Sequence, residues 1–63
     1  MDMQVYEVGQ LSILVANMWG EYEYYIRDLT DSDDVYKYCF SVEVPFTEDE
    51  LAEREEYFWS YQQ

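Results

Sequence analysis

Between residues 35 and 44 apolar and polar side chains alternate. Tyr36, Tyr38, Phe40, Val42 and Val44 fall on one side, and Lys37, Cys39, Ser41 and Glu43 on the other. A period of two in β-branched and aromatic residues predicts a strand. Pro45 closes it, because proline has no N–H to give a central ladder. Residues 21–29 hold Tyr22, Tyr24 and Ile26 on one face in the same way. Between these stretches lies Thr30-Asp31-Ser32-Asp33-Asp34, a polar connector. Asp and Ser favour turns there because their side chains hydrogen-bond to nearby backbone. An antiparallel hairpin across the connector follows.

The pattern changes after Pro45. Thr47 is a suitable N-cap, Glu50 completes a capping box three residues on, and Phe46 can pack on Leu51 as a hydrophobic staple. Glu48, Asp49 and Glu50 stand where the helix dipole favours negative charge. A helix is predicted over residues 48–61. Its inner face is Leu51, Phe58 and Tyr61, with Arg54 between them and Trp59 at the flank. Glu48, Asp49, Glu53 and Glu56 point to water.

Residues 11–29 admit two periods. Leu11, Val15, Met18, Tyr22, Ile26 and Leu29 follow helical spacing. The same stretch reads as two strands broken at Trp19-Gly20. Gly20 costs about 1 kcal/mol inside a helix, and Ile13, Val15, Trp19, Tyr22, Tyr24 and Ile26 all favour sheet. The preferred architecture is α+β: a small antiparallel sheet of three or four strands with one C-terminal helix across a face. The alternative replaces the first strands with an N-terminal helix. A lone hairpin is not stable in water, so a third strand or the helix must cover it.

Sixty-three residues with two Gly, one Pro and no linker-like stretch predict a single domain over residues 1–63. Hydrophobic residues make up 49% and aromatic ones 21%, which distinguishes the chain from disordered acidic sequences. Fifteen Asp and Glu face three Lys and Arg, with no His, for a formal charge of -12. Solubility of a small domain needs a net charge of magnitude only about 2–8. A larger excess costs the fold self-repulsion. The longest apolar run, residues 13–16, is far below the roughly 20 residues of a spanning helix. The start, Met1-Asp2-Met3, is acidic rather than the basic start of a secretory signal. A soluble, cytoplasmic protein is expected.

Composition excludes several chemistries. Without His, neither a Ser-His nor a Cys-His nucleophile pair can form. Cys39, the only cysteine, can make neither an internal disulfide nor a thiolate zinc site alone. It reads as a small buried or half-buried thiol. Asp28, Asp31, Asp33 and Asp34 invite comparison with a calcium loop. From Asp31, position 6 is Tyr36 where glycine is required, and position 12 is Val42 where Glu is required. From Asp28 the two positions are Asp33 and Cys39, so neither register fits. No glycine-rich loop with a lysine exists to cradle phosphate. Nucleic acids and anionic membranes are repelled. No enzyme activity, cofactor or metal is expected.

What is left is the carboxylate array. Alternate residues of a strand point the same way about 6.8 Å apart, so Glu21 and Glu23 set two charges in a row. Asp28, Asp31, Asp33 and Asp34 are expected to continue that line into the connector. Glu48, Asp49, Glu53 and Glu56 form a second patch. Fixed charges at such intervals approximate a run of phosphates that a Lys/Arg groove would accept. Interleaved tyrosines, Tyr24 and Tyr25 among them, supply rigid contact area of the kind found at binding hot spots. Small size, a single domain, extreme acidity and many aromatics together resemble phage-encoded inhibitors that mimic nucleic acid, of the anti-CRISPR and anti-restriction type. The resemblance is one of class, carried by those charge rows. It implies a stoichiometric inhibitor acting in a bacterial host. Its partner would be a basic nucleic-acid-binding protein, such as a CRISPR effector or a restriction nuclease subunit. Separately, a sheet edge and spare aromatics favour a dimer and twelve uncompensated charges oppose one, so a monomer is expected. The other function expected from this composition is an acidic interaction module. Such a module would regulate a host complex such as RNA polymerase through an aromatic patch, with charge steering the encounter.

Overall fold

Two tight turns decide the first half of the chain. Gly9 has φ +59°, and Trp19 and Gly20 have φ +54° and +81°. Two-residue turns with positive φ match the twist of antiparallel strands, whereas ordinary turns splay them. The chain therefore folds back at Gly9-Gln10 and again at Trp19-Gly20. The computed structural model describes residues 2–62; Met1 of the acidic start and Gln63 lie outside them. The strands are β1 (Asp2–Val8), β2 (Leu11–Met18), β3 (Glu21–Asp28) and β4 (Lys37–Val42). They form one antiparallel sheet in the order β1-β2-β3-β4. Two short helices, α1 (Glu48–Glu53) and α2 (Glu55–Trp59), and a closing 3-10 turn over Ser60–Gln62 complete the chain.

Residues 11–29 are thus two strands, not a helix. The turn at Trp19-Gly20 overrides the helical spacing of Leu11, Val15, Met18, Tyr22, Ile26 and Leu29. β1 adds a fourth strand. Its own alternation is masked in the sequence by Asp2, Gln4 and Glu7, and only pairing with β2 makes it plain.

Register sorts every side chain to one of two faces. Tyr6, Ile13 and Ile26 share a row on the helix side, and Val15, Tyr24 and Phe40 share the next. With Val8, Leu11, Leu51 and Phe58 they build the core. Tyr24 is its centre. Its ring lies 5.2 Å from Phe40, 5.4 Å from Phe46 and 6.0 Å from Phe58, centroid to centroid. Its phenol oxygen accepts the Phe46 N–H at 2.8 Å. That bond ties the start of the helical segment to the middle of the sheet.

β4 departs from the expected alternation. Tyr24 pairs with Phe40 but Tyr25 pairs with Tyr38, so Cys39 is an extra residue in the ladder. Such a bulge reverses the sequence of faces. Tyr38 and Phe40, expected on one face, point to opposite ones. The strand is also shorter than residues 35–44, and Val35 and Val44 lie exposed beyond its ends.

The helical segment starts as its sequence predicts. Glu50 N–H donates to Thr47 Oγ1 at 3.2 Å, and Thr47 N–H donates to Glu50 Oε1 at 2.9 Å. Glu50 is held below the usual carboxylate range, chiefly by that Thr47 N–H. The helix is not continuous to residue 61. Arg54 takes φ −104° and ψ 21° and separates α1 from α2. Its guanidinium sits 4.9 Å from the centre of the Phe46 ring. Beyond the break, Glu55 lies over the first turn, where a Cβ on Gly9 would come 2.5 Å from Glu55 Oε2. Trp59 Nε1–H donates to the same Glu55 oxygen at 3.1 Å. Leu51 and Phe58 are fully buried, and Tyr61 and Trp59 half-buried, as the inner face requires.

Cys39 is half-buried, and burial pushes its thiol up to about 11 from an ordinary 9.0. A raised value favours the protonated fold, so its contribution to stability is complete below pH 9.0 and is lost as pH climbs towards about 11. Two predictions follow from one cause. The urea midpoint should fall over that interval, by less in Cys39→Ala. Iodoacetamide should label the folded thiol roughly 100-fold more slowly than the unfolded one, because only thiolate reacts. Equal labelling rates would contradict the burial.

Candidate protein-binding surfaces

Helices cover one side of the sheet only. The other side presents Met3, Val5 and Glu7 of β1, Ser12, Leu14, Ala16 and Met18 of β2, Glu21, Glu23, Tyr25 and Arg27 of β3, and Tyr38 and Ser41 of β4. One end of this open face is closed over. Tyr36 reaches back from the connector to share a 2.8 Å hydrogen bond with Ser12 Oγ. Arg27 Nε lies 3.0 Å from Asp34 Oδ1, off line for a hydrogen bond, so that contact is ionic. Asp34 is exposed, and a surface pair of this kind contributes about 0–1 kcal/mol. The middle of the face stays open. Tyr25 and Tyr38 meet edge to face at 5.5 Å. Each ring is anchored by its hydroxyl, Tyr25 to Glu23 Oε1 at 3.0 Å and Tyr38 to Ser41 Oγ at 2.9 Å. The Glu23 hydrogen bond, with burial second, raises the Tyr25 phenol above its ordinary 10.0.

Ten of the fifteen carboxylates fall into three groups. Glu48, Asp49, Glu53 and Glu56 are all exposed on the helical side. Asp28, Asp31 and Asp33 meet at one end of the sheet, around a shallow hollow of about 320 Å³ shared with Tyr36, Lys37 and Gln62. Asp28 Oδ1 and Asp31 Oδ1 are occupied with backbone N–H groups of Thr30 and Asp33, at 2.9 and 3.2 Å. Glu21 and Glu23 stand on the open face at the other end of β3, with Glu7 across the sheet. The expected continuous line from Glu21 through Asp28 does not form. Odd and even positions of a strand point to opposite faces, and residues 21 and 28 stand at the two ends of β3, about 23 Å apart. Charge therefore wraps the molecule: helical side, connector end and open face. Among the aromatics expected at the surface, Tyr25 is there. Tyr24 is not; it is fully buried, its ring and hydroxyl both committed to the core. Trp19, 97% exposed at the tip of the β2–β3 turn, was not among the expected contact residues, and its place beside Gly20 is the signal for it.

A second hollow of about 330 Å³ opens on the helical side where the helices leave the sheet uncovered, between Asp2, Tyr6, Asn17, Tyr22 and Pro45. It contains no nucleophile–base pair. Among the described residues, no three His, Cys, Asp or Glu side chains converge where a metal ion could sit. No helix among them is long and apolar enough to cross a membrane.

The molecule measures 32 × 23 × 18 Å along its principal axes and carries acidic groups on both the open face and the helical side. Fold and surface together define a small α+β domain: a four-stranded antiparallel meander, sealed on one side by a short broken helix and open on the other. Compared with protein-family models, curated proteins and solved structures, the chain matches none.

With so few cations, repulsion between these groups opposes folding. The Debye length shrinks from about 30 Å at 0.01 M salt to about 10 Å at 0.1 M. The thermal midpoint should therefore rise over that range. A midpoint that stays level would mean the carboxylates are too far apart to act on one another.

Proposed function

We propose that this protein is a non-enzymatic acidic inhibitor that occupies the nucleic-acid-binding cleft of a basic host protein. The leading candidate is a CRISPR effector at its DNA- or PAM-recognition surface, and a restriction nuclease is next. The observation that carries the proposal is the excess of exposed carboxylates on a chain that folds; they stand in separate groups around the domain, not as the single ordered surface that a phosphate-like row predicts. Exposed carboxylates stand on the helical side, at the connector end and on the open face, where Asp34 pairs with Arg27. A one-sided acidic patch suits a flat basic surface. Acidic groups on both the open face and the helical side of so small a domain suit a cleft with two basic walls, the kind of channel that holds a duplex. Nuclease clefts use Lys and Arg to meet phosphates, and carboxylates can replace those phosphates without offering a scissile bond. The site of action is the bacterial cytoplasm, and the active species is a monomer.

A DNA-cleavage assay tests this. One equivalent of protein should stop a guide-loaded CRISPR effector, or a restriction nuclease, from cutting duplex DNA. A large excess of uncut duplex should restore cutting. Cutting that continues at saturating protein across a panel of such nucleases would sink the proposal.

The exposed aromatics favour a second function, an interaction module regulating a host complex such as RNA polymerase. Under it, charge reversal at Glu21, Glu23, Asp31 and Asp33 would slow association only. Under the first, it would abolish inhibition.

A further inference from the structure

The open sheet face leaves apolar side chains from all four strands in contact with water. Val5, Leu14, Tyr25 and Tyr38 stand side by side across all four strands, a row about 14 Å long at normal strand spacing. Val5 is 56% exposed and Tyr38 50% exposed. Met3, 60% exposed, lies one row further on, and Trp19 stands at the same end of the sheet. Leu14 and Tyr25 are half-buried by their neighbours on the sheet, and among the described residues no helix covers the row, because both pack on the other side.

Trp19 is the telling residue. It occupies the left-handed region, φ +54°, in a turn that Asn-Gly fills best. A bulky side chain there is an outlier that costs the backbone about 1–3 kcal/mol. Its ring is 97% exposed, so no burial offsets that cost. Strain without a folding benefit points to use. Trp and Tyr are the residues most enriched at binding hot spots. Here Tyr25 and Tyr38 are already fixed by their hydroxyl bonds to Glu23 and Ser41. Less side-chain freedom is then lost on binding.

We infer that the open face is a docking surface for a cationic amphipathic segment of the partner protein. Its apolar side chains would lie along Val5, Leu14, Tyr25 and Tyr38, and its Lys or Arg residues at the two ends. Charge fixes that occupant. Glu7 lies one row beyond the apolar row at one end, and Glu23 and Glu21 one and two rows beyond it at the other. Arg27, the cation of this face, is engaged by Asp34. A second copy of the chain would set Glu7, Glu21 and Glu23 against their own kind, between two molecules of charge -12. Single-stranded nucleic acid could stack on the rings, but its phosphates would meet the same carboxylates. From the proposed function the inference takes only that the partner is basic. It adds that binding is anchored by apolar contact, not by charge alone.

The probe is a pair of synthetic peptides of equal length and charge, one of Lys and Leu, the other of Lys and Ser. Chemical shifts of the isotope-labelled protein report where each binds. The Lys/Leu peptide should bind at least about tenfold more tightly. Its shifts should fall on Met3, Val5, Leu14, Tyr25, Tyr38 and the Trp19 indole, with the Trp59 indole unmoved. Trp19→Asn suits the turn and Val5→Thr keeps a β-branched strand residue, so the double variant should fold. It should lose most of the Lys/Leu advantage and keep the Lys/Ser affinity. Equal affinity for the two peptides, or shifts centred on the helical side, would overturn the inference. So would a dimer in sedimentation that the double variant abolishes. Selective peptide binding with no inhibition of any nuclease would overturn the decoy and leave the docking face standing; the reverse pair of results would do the opposite.

Discussion

Replacing Tyr24 with alanine should leave the protein unfolded in water. Tyr24 is fully buried between the sheet and the helical segment, in ring contact with Phe40, Phe46 and Phe58. Truncating a large buried aromatic costs about 3–5 kcal/mol through lost transfer energy and the cavity left behind. The change also strands the Phe46 N–H, which now donates to the phenol at 2.8 Å. The donor is half-buried, so losing its acceptor costs at most about a further 1–3 kcal/mol. Native stability runs at about 0.05–0.15 kcal/mol per residue, which allows roughly 3–9 kcal/mol for a chain of this length. The summed loss matches that reserve. Tyr24→Phe separates the two effects, since it keeps the ring and removes only the acceptor. It should fold with a urea midpoint lowered by the hydrogen-bond share alone. Circular dichroism in urea decides the matter. A cooperative transition in Tyr24→Ala near the parent midpoint would show that the helical segment does not depend on this contact.

The second large effect concerns the helical carboxylates. Changing Glu48, Asp49, Glu53 and Glu56 to Gln or Asn removes four charges from the helical side and leaves the open face intact. Close charge pairs across an interface couple by about 1.5–7 kcal/mol each in the strongest measured case. Under the proposed function, inhibition should weaken by at least about 100-fold at low salt, where 1.4 kcal/mol is one factor of ten. Its dependence on salt should flatten as well, because fewer ions are released on binding. Folding should change little: all four residues are exposed and none is in the capping box, and the fall in self-repulsion offsets the dipole contribution lost at Glu48 and Asp49. Unchanged inhibition would mean that only the open face touches the partner.

Much of this architecture is legible in the chain. The capping box at Thr47 and Glu50 forms as its spacing predicts, because a cap depends on a few adjacent residues. The strand at Tyr22, Tyr24 and Ile26 forms, and so does its hairpin partner. What the sequence hides is non-local. The bulge at Cys39 places Tyr38 and Phe40 on opposite faces, and no local signal marks an extra residue in a ladder. Tyr24 and Tyr25 are adjacent and chemically identical, yet one is the centre of the core and the other an open-face residue. Only the pleat distinguishes them. The same alternation separates Glu21 and Glu23 from Asp28, so charges that are close in sequence lie on opposite sides of the sheet. The break at Arg54 belongs with these, since no proline or glycine marks it in the sequence. Trp19 is the instructive case. Beside Gly20 it marks a turn, but its positive φ and its full exposure appear only in three dimensions.

Whether a basic cleft can hold this protein and nucleic acid together is the question closest to the proposed function. Sedimentation of a guide-loaded CRISPR effector with labelled protein and labelled duplex, at equal concentrations and low salt, answers it. Each ligand should travel with the effector when present alone, and with both present the two should divide it, no particle carrying both labels. A particle that carries protein and duplex at once would contradict displacement and with it the substitution of carboxylates for phosphates.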